Sequence, residues 1–104
     1  MDAAVDRAIR EAIGARRLIR FVLDGFERVA EPHDYGVRGG RTMLLAYQVG
    51  GGSKSGRLPD WRWVEVERMR NVRVLDEEFA GNRPAPSGKH SSWDTIYLRV
   101  SGKH

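Results

Sequence analysis

The stretch from Arg28 to Tyr47, RVAEPHDYGVRGGRTMLLAY, constrains the fold more than any other part of the chain. Two runs rich in β-formers flank Gly39-Gly40, and adjacent glycines supply the positive φ that a two-residue hairpin loop requires. After the turn, Leu44, Leu45, Ala46 and Val49 make an almost continuous apolar run. A strand covered on both faces reads this way, whereas a strand with one wet face alternates. The pattern predicts a hairpin at the centre of a small barrel. Pro32 has no N–H for a ladder, so the first strand should bend, bulge or lie at an edge there before Tyr35 and Val37 resume it.

The segments on either side follow from the same rules. Asp2 is a plausible N-cap, and Val5, Ile9, Ala12 and Ile13 fall on one helical face, with Asp6 and Arg10 as an i,i+4 pair on the other. Gly14 weakens the last turn without requiring a stop, so the helix is assigned to residues 1–17. Leu18 to Leu23 alternates Ile19, Phe21 and Leu23 inward, and Asp24-Gly25 is a hairpin signal leading to a return strand at Phe26. Residues 50–60, GGGSKSGRLPD, read as a mobile loop. A strand resumes at Trp61, with Val64 and Val66 opposite Trp63, Glu65 and Glu67. Arg70-Asn71 reads as a turn into Val72 to Leu75, and Asp76 to Ala80 as a helical turn. Residues 81–92 form a Pro/Gly/Ser linker, expected to be mobile, and Thr95 to Val100 reads as a last strand able to cover an open edge. The resulting fold is mainly β: about five barrel strands over residues 18–76, an N-terminal helix, and an extension over 77–104 that ends in a strand.

A chain of 104 residues with 40% hydrophobic content supports a single domain with a modest core. It has no cysteine, which excludes disulfides and thiolate chemistry. No apolar run approaches a membrane span or a signal core, and a cytoplasmic location is the expectation. The net charge of +4 favours anionic partners only weakly. Fifteen of the 18 basic residues are arginine, whose planar fork suits phosphate and base stacking.

Chemistry-bearing side chains are sparse. His33, His90 and His104 stand at no metal-ligand spacing, and Ser53, Ser55, Ser91 and Ser92 lack a neighbouring His/Asp pattern. Glu65 and Glu67 share a strand face near Arg62 and Arg68 and read as a solvated face rather than an acid pair. Lys54-Ser55 follows three glycines, but the Walker pattern fails at Gln48 and Ser53. No enzyme, metal or cofactor is expected. Trp61 and Trp63 lie two residues apart, which suits core or rim packing first and base stacking second. Arginines 20, 28, 38, 41, 62 and 68 are spread over neighbouring strands, where they either converge on one face or remain scattered surface charge.

Arg28, Glu31 and Pro32 in an R-x-x-EP segment, the Gly39-Gly40 turn, the strand ending in Ala46-Tyr47, and Val64 to Met69 together resemble the WYL domain of bacterial regulators. Thr42-Met43-Leu44 stands where that family has Trp-Tyr-Leu, and Glu67 and Met69 replace its Asp and Ile around Arg68. The resemblance implies an Sm-like, SH3-like barrel that senses nucleotides or single-stranded nucleic-acid fragments, usually behind a winged helix. No helix-turn-helix pattern is present, so a stand-alone module is expected. The resemblance implies Arg28, Arg41 and Arg68 as phosphate contacts, with His33 as a hydrogen-bonding or stacking neighbour. The alternative is a structural module that binds a protein partner or self-associates through strand edges.

Overall fold

The computed structural model describes residues 2–52, 56, 58–81, 83 and 93–101. Asp2 caps the first helix: its Oδ1 accepts from Ala4 N–H at 2.8 Å, satisfying one of the amides a helix start leaves bare. Helix α1 then runs Ala3–Ala15 and buries Ile9, Ala12 and Ile13, with Val5 half-buried beside them. It is shorter than its assigned span. Arg16 adopts the left-handed conformation (φ 55°, ψ 52°) and returns its N–H to the Ala12 and Ile13 carbonyls, a C-cap that turns the chain directly into a strand.

Among the described residues six antiparallel strands follow: β1 (Arg17–Leu23), β2 (Phe26–Arg38), β3 (Arg41–Gly51), β4 (Asp60–Glu65), β5 (Arg70–Glu78) and β6 (Thr95–Arg99). Their order is β4-β3-β2-β1-β5, with β6 also paired to β2. Asp24-Gly25 and Gly39-Gly40 all have positive φ, as two-residue hairpin loops demand. Pro32 is accommodated inside the central strand by a bulge. The register steps from Pro32↔Ala46 to Asp34↔Leu45, which leaves His33 as the extra residue.

The sheet closes into a small barrel-like form because its two edge strands are sequence neighbours. Laid flat, the five strands of the main path would put β4 and β5 about 19 Å apart. A single 3₁₀ turn, Val66–Arg68, joins them and rises only about 6 Å. The sheet must curl. Ile19, Phe21, Leu44, Val64 and Val66 fill its interior together with the apolar face of α1. Tyr35, fully buried, donates its hydroxyl to Asp6 Oδ1 at 2.7 Å and so ties the helix to β2.

Several local expectations are revised. Val66 leaves the strand for the 3₁₀ turn, so Glu65 and Glu67 do not share a strand face. Asn71, at φ 53°, sits inside β5 at a register shift rather than in a turn. Residues 76–78, expected to be helical, continue β5 because Glu78 pairs with Arg17 across the sheet. Val49 is exposed: β3 bulges between Gln48 and Gly50, which turns its side chain out of the core. Gly50 and Gly51 belong to the ladder, so the loop begins at Gly52, whose N–H donates to the Glu27 carbonyl at 2.9 Å. Most of the two segments expected to be mobile, 53–55, 57, 82 and 84–92, lies outside the described residues.

Candidate functional site

The four residues singled out in the sequence do not all gather at one place. Arg28 stands near the β1–β2 turn, while Arg41 pairs with Arg38 at the opposite end of the β2–β3 hairpin. Arg41 Nη1 reaches both Glu65 oxygens, at 3.2 and 3.1 Å. Arg68 Nη2 donates to Asp24 Oδ1. His33 is wholly buried, with Trp61 edge-on at 4.8 Å between centroids and Phe79 at 5.5 Å. Arg28 and Arg68 both reach the β1–β2 turn, at Leu23 and Asp24, whereas Arg41 lies at the far end of the β2–β3 hairpin, so the three arginines do not form one face. Arg41 and Arg68 sit in exposed carboxylate pairs, with Glu65 and with Asp24.

Arg28 differs from both. Its residue is 5% exposed, Nη2 donates to the Leu23 carbonyl at 3.1 Å, and Nε is buried without a hydrogen-bond partner. The guanidinium carbon lies 5.8 Å from the Phe26 ring centroid. Burial, and then the charge of nearby Arg62, pushes the Arg28 pKa down. Arg62, on β4, donates through Nε to Gln48 Oε1 at 3.3 Å and reaches Asp60 Oδ2 at 3.5 Å. Buried Gln48 in turn donates to the Gly50 and Gly52 carbonyls, at 3.0 Å each.

Glycine is required where β3 closes on Arg28. At Gly51 (φ 83°) a Cβ would lie 2.1 Å from the Glu27 carbonyl oxygen and 2.7 Å from Arg28 Cα. The sequence reading of the glycine run as loop missed this packing role. Chemically, a desolvated guanidinium with a spare donor is a place where an anion's charge and acceptors are both accommodated.

A second cluster gathers around Glu31. Tyr47 pairs with Glu31 on β2 and with Trp61 on β4, so the three form one cross-strand row. Glu31 accepts from Arg83 Nε at 2.6 Å and Nη2 at 2.8 Å, and His33 Nε2 faces its Oε1 at 3.3 Å. The Arg83 guanidinium lies 4.3 Å from the Tyr47 ring centroid, and Tyr47 meets Trp61 edge-on at 5.2 Å. The hydrogen bond to Glu31 raises the Arg83 pKa further. Sequence reasoning overlooked Arg83 because it stands in a Pro/Gly/Ser segment, and its only signal was the R-x-x-EP acid that it neutralises. Trp63 belongs to a separate stack, 5.3 Å from Trp93, with the Arg38 guanidinium 4.3 Å from its own ring. Trp61 and Trp63 thus serve different clusters.

Among the described residues no three His, Asp or Glu side chains converge as metal ligands, and no helix is long and apolar enough to cross a membrane. No protein-family model matches the chain, and no curated protein matches it in sequence. Among solved structures the chain is similar to "Proteasome accessory factor B/C (PafBC) of Arthrobacter aurescens", with a TM-score of 0.58 and 20% identity over 83% of this chain. The match spans 13% of the length of that protein. The chain therefore shares its fold, a curled antiparallel sheet with an N-terminal helix, with one part of PafBC.

Proposed function

We propose that the chain is a WYL-like regulatory module that binds, without chemical turnover, a nucleotide or a single-stranded nucleic-acid fragment. The anchoring cation is Arg28, with Arg62 beside it. One observation carries this reading: Arg28 is buried, keeps an unused Nε donor and, among the described residues, has no carboxylate partner. Arg41 and Arg68, by contrast, are each paired with an acid. The fold shared with part of PafBC and the R-x-x-EP and Gly-Gly segments support the same class. Beyond Gly52, the β3–β4 connection carries Lys54 and Arg57, further positive charge for a polyanion.

The test is a titration of wild type and Arg28→Met with short single-stranded oligonucleotides and a mononucleotide at two salt concentrations. Each phosphate contact contributes about 0.7 to the slope of log affinity against log salt, so the variant should lose about that much along with affinity. Absence of salt-sensitive binding in the wild type would sink the proposal.

A second reading, a structural or protein-interaction module, is favoured by the Arg41–Glu65 and Arg68–Asp24 pairs, which use the barrel's arginines as surface ties. Under it, Arg28 serves the Leu23 carbonyl alone, and Arg28→Met lowers the melting temperature while oligonucleotides bind neither protein.

A further inference from the structure

We propose that Glu31 and Tyr47, with Trp61 packed edge-on against Tyr47, form a guanidinium-binding cage that Arg83 occupies as an exchangeable internal ligand, and that an arginine side chain of a partner polypeptide takes the same place. The cage wall is built by register: Tyr47 stands across the ladder from Glu31 on one side and Trp61 on the other. With Arg83 in place the Glu31 side chain is only 6% exposed, so its carboxylate is served by that cation and by His33 Nε2 at 3.3 Å rather than by bulk water. Arg83 serves it in a geometry particular to guanidinium. Two parallel N–H donors, at 2.6 and 2.8 Å, serve the two carboxylate oxygens while the planar cation lies 4.3 Å from the Tyr47 ring centroid. A lysine ammonium is a point charge and cannot reproduce the fork.

The occupant comes from the solvent side. The Arg83 side chain is 46% exposed while its partner is buried, so the contact is one side chain reaching inward. Residues 80–92, AGNRPAPSGKHSS, hold no apolar side chain larger than alanine or proline. The bidentate ion pair and the ring contact hold Arg83 itself, and any extended segment presenting an arginine over the same face offers equivalent donors. The chain's own segment is then an intramolecular competitor, and removing Arg83 vacates the cage.

The experiment titrates wild type and Arg83→Ala calorimetrically with acetyl-Gly-Arg-Gly amide and its lysine counterpart. Because a filled cage reduces apparent affinity in proportion to its vacant fraction, Arg83→Ala should bind the arginine peptide about tenfold tighter than wild type, or better. It should bind the lysine peptide far more weakly, and Tyr47→Leu added to Arg83→Ala should abolish the arginine signal. Equal affinity of wild type and variant, equal affinity for the two peptides, or no binding by the variant would overturn the proposal. Should Arg83→Ala prove unfolded, Arg83→Lys is melted with millimolar methylguanidinium or methylammonium. A rise in melting temperature specific to methylguanidinium supports the cage, and equal effects refute it. The probes carry no phosphate, so the outcome is independent of the anion site at Arg28.

Discussion

Burial, and after it the charge of Arg62, holds the Arg28 pKa below its ordinary value, and no carboxylate among the described residues pairs with Arg28. An anion bound at Arg28 would offset the cost of burying its charge and supply the acceptor that Arg28 Nε lacks.

Phosphate should accordingly raise the melting temperature of the wild type more than chloride at matched ionic strength, and the difference should vanish in Arg28→Met. A ligand at a hundred times its dissociation constant adds about 2.7 kcal/mol to stability. Differential scanning calorimetry over a phosphate series checks this, and an unchanged increment in the variant would reduce the effect to generic salting.

The Tyr35–Asp6 bond is expected to stabilise the docking of α1 on the barrel. Tyr35→Phe should cost about 1.5 kcal/mol, the lower end for a hydrogen bond to a charged group, because Asp6 is partly solvated. The bond to Tyr35 is the largest influence holding the Asp6 carboxyl below its ordinary value of 3.8, with Arg10 assisting. A carboxyl depressed in the folded state contributes stability above its unfolded pKa and loses it as pH falls through the folded value. Wild type should therefore lose stability below about pH 4 more steeply than Asp6→Asn. Parallel acid melts of the two proteins decide it.

Arg68→Ala and Arg41→Ala remove exposed pairs with Asp24 and Glu65. Each should cost only about 0.2–1 kcal/mol in urea unfolding. Neither should flatten the salt dependence of oligonucleotide binding. A slope reduced by either substitution would place phosphate contacts outside the Arg28 region.

Gly36→Ala should detach β6. A Cβ at this position would lie 2.1 Å from the Thr95 carbonyl oxygen, a backbone atom that cannot swing aside. The expected loss is about 2–3 kcal/mol. Amide exchange should localise it to Tyr35, Ile96 and Leu98, and uniform protection in the variant would contradict the close approach.

Much of the fold was legible locally. Ile9, Ala12 and Ile13 at helical spacing, Ile19, Phe21 and Leu23 in alternation, and the Asp24-Gly25 and Gly39-Gly40 turns each act within a few residues, and each appears in the structure where periodicity puts it. Errors cluster where a distant strand overrides propensity. Glu77 and Glu78 favour helix only until β1 offers β5 a ladder partner, and Val49 is apolar yet turned outward by a bulge. The 3₁₀ turn at Val66 is likewise imposed by the need to bring β4 to β5.

The candidate sites were less legible. The R-x-x-EP resemblance singled out Arg28, but its burial depends on β4 returning against β3 and on Gly51 letting β3 close onto β2. Nothing within a few residues of Arg83 connects it to Glu31, which lies fifty-two positions away. Sequence by itself determined where the chain turns, which faces are apolar and that the result is a small β structure with one helix, since these are short-range consequences of φ preference and period. Only the tertiary structure decided which charges are paired and which are stranded, because that depends on strand register and on bulges such as the one at His33, and charge pairing across a curled sheet has no counterpart in linear spacing.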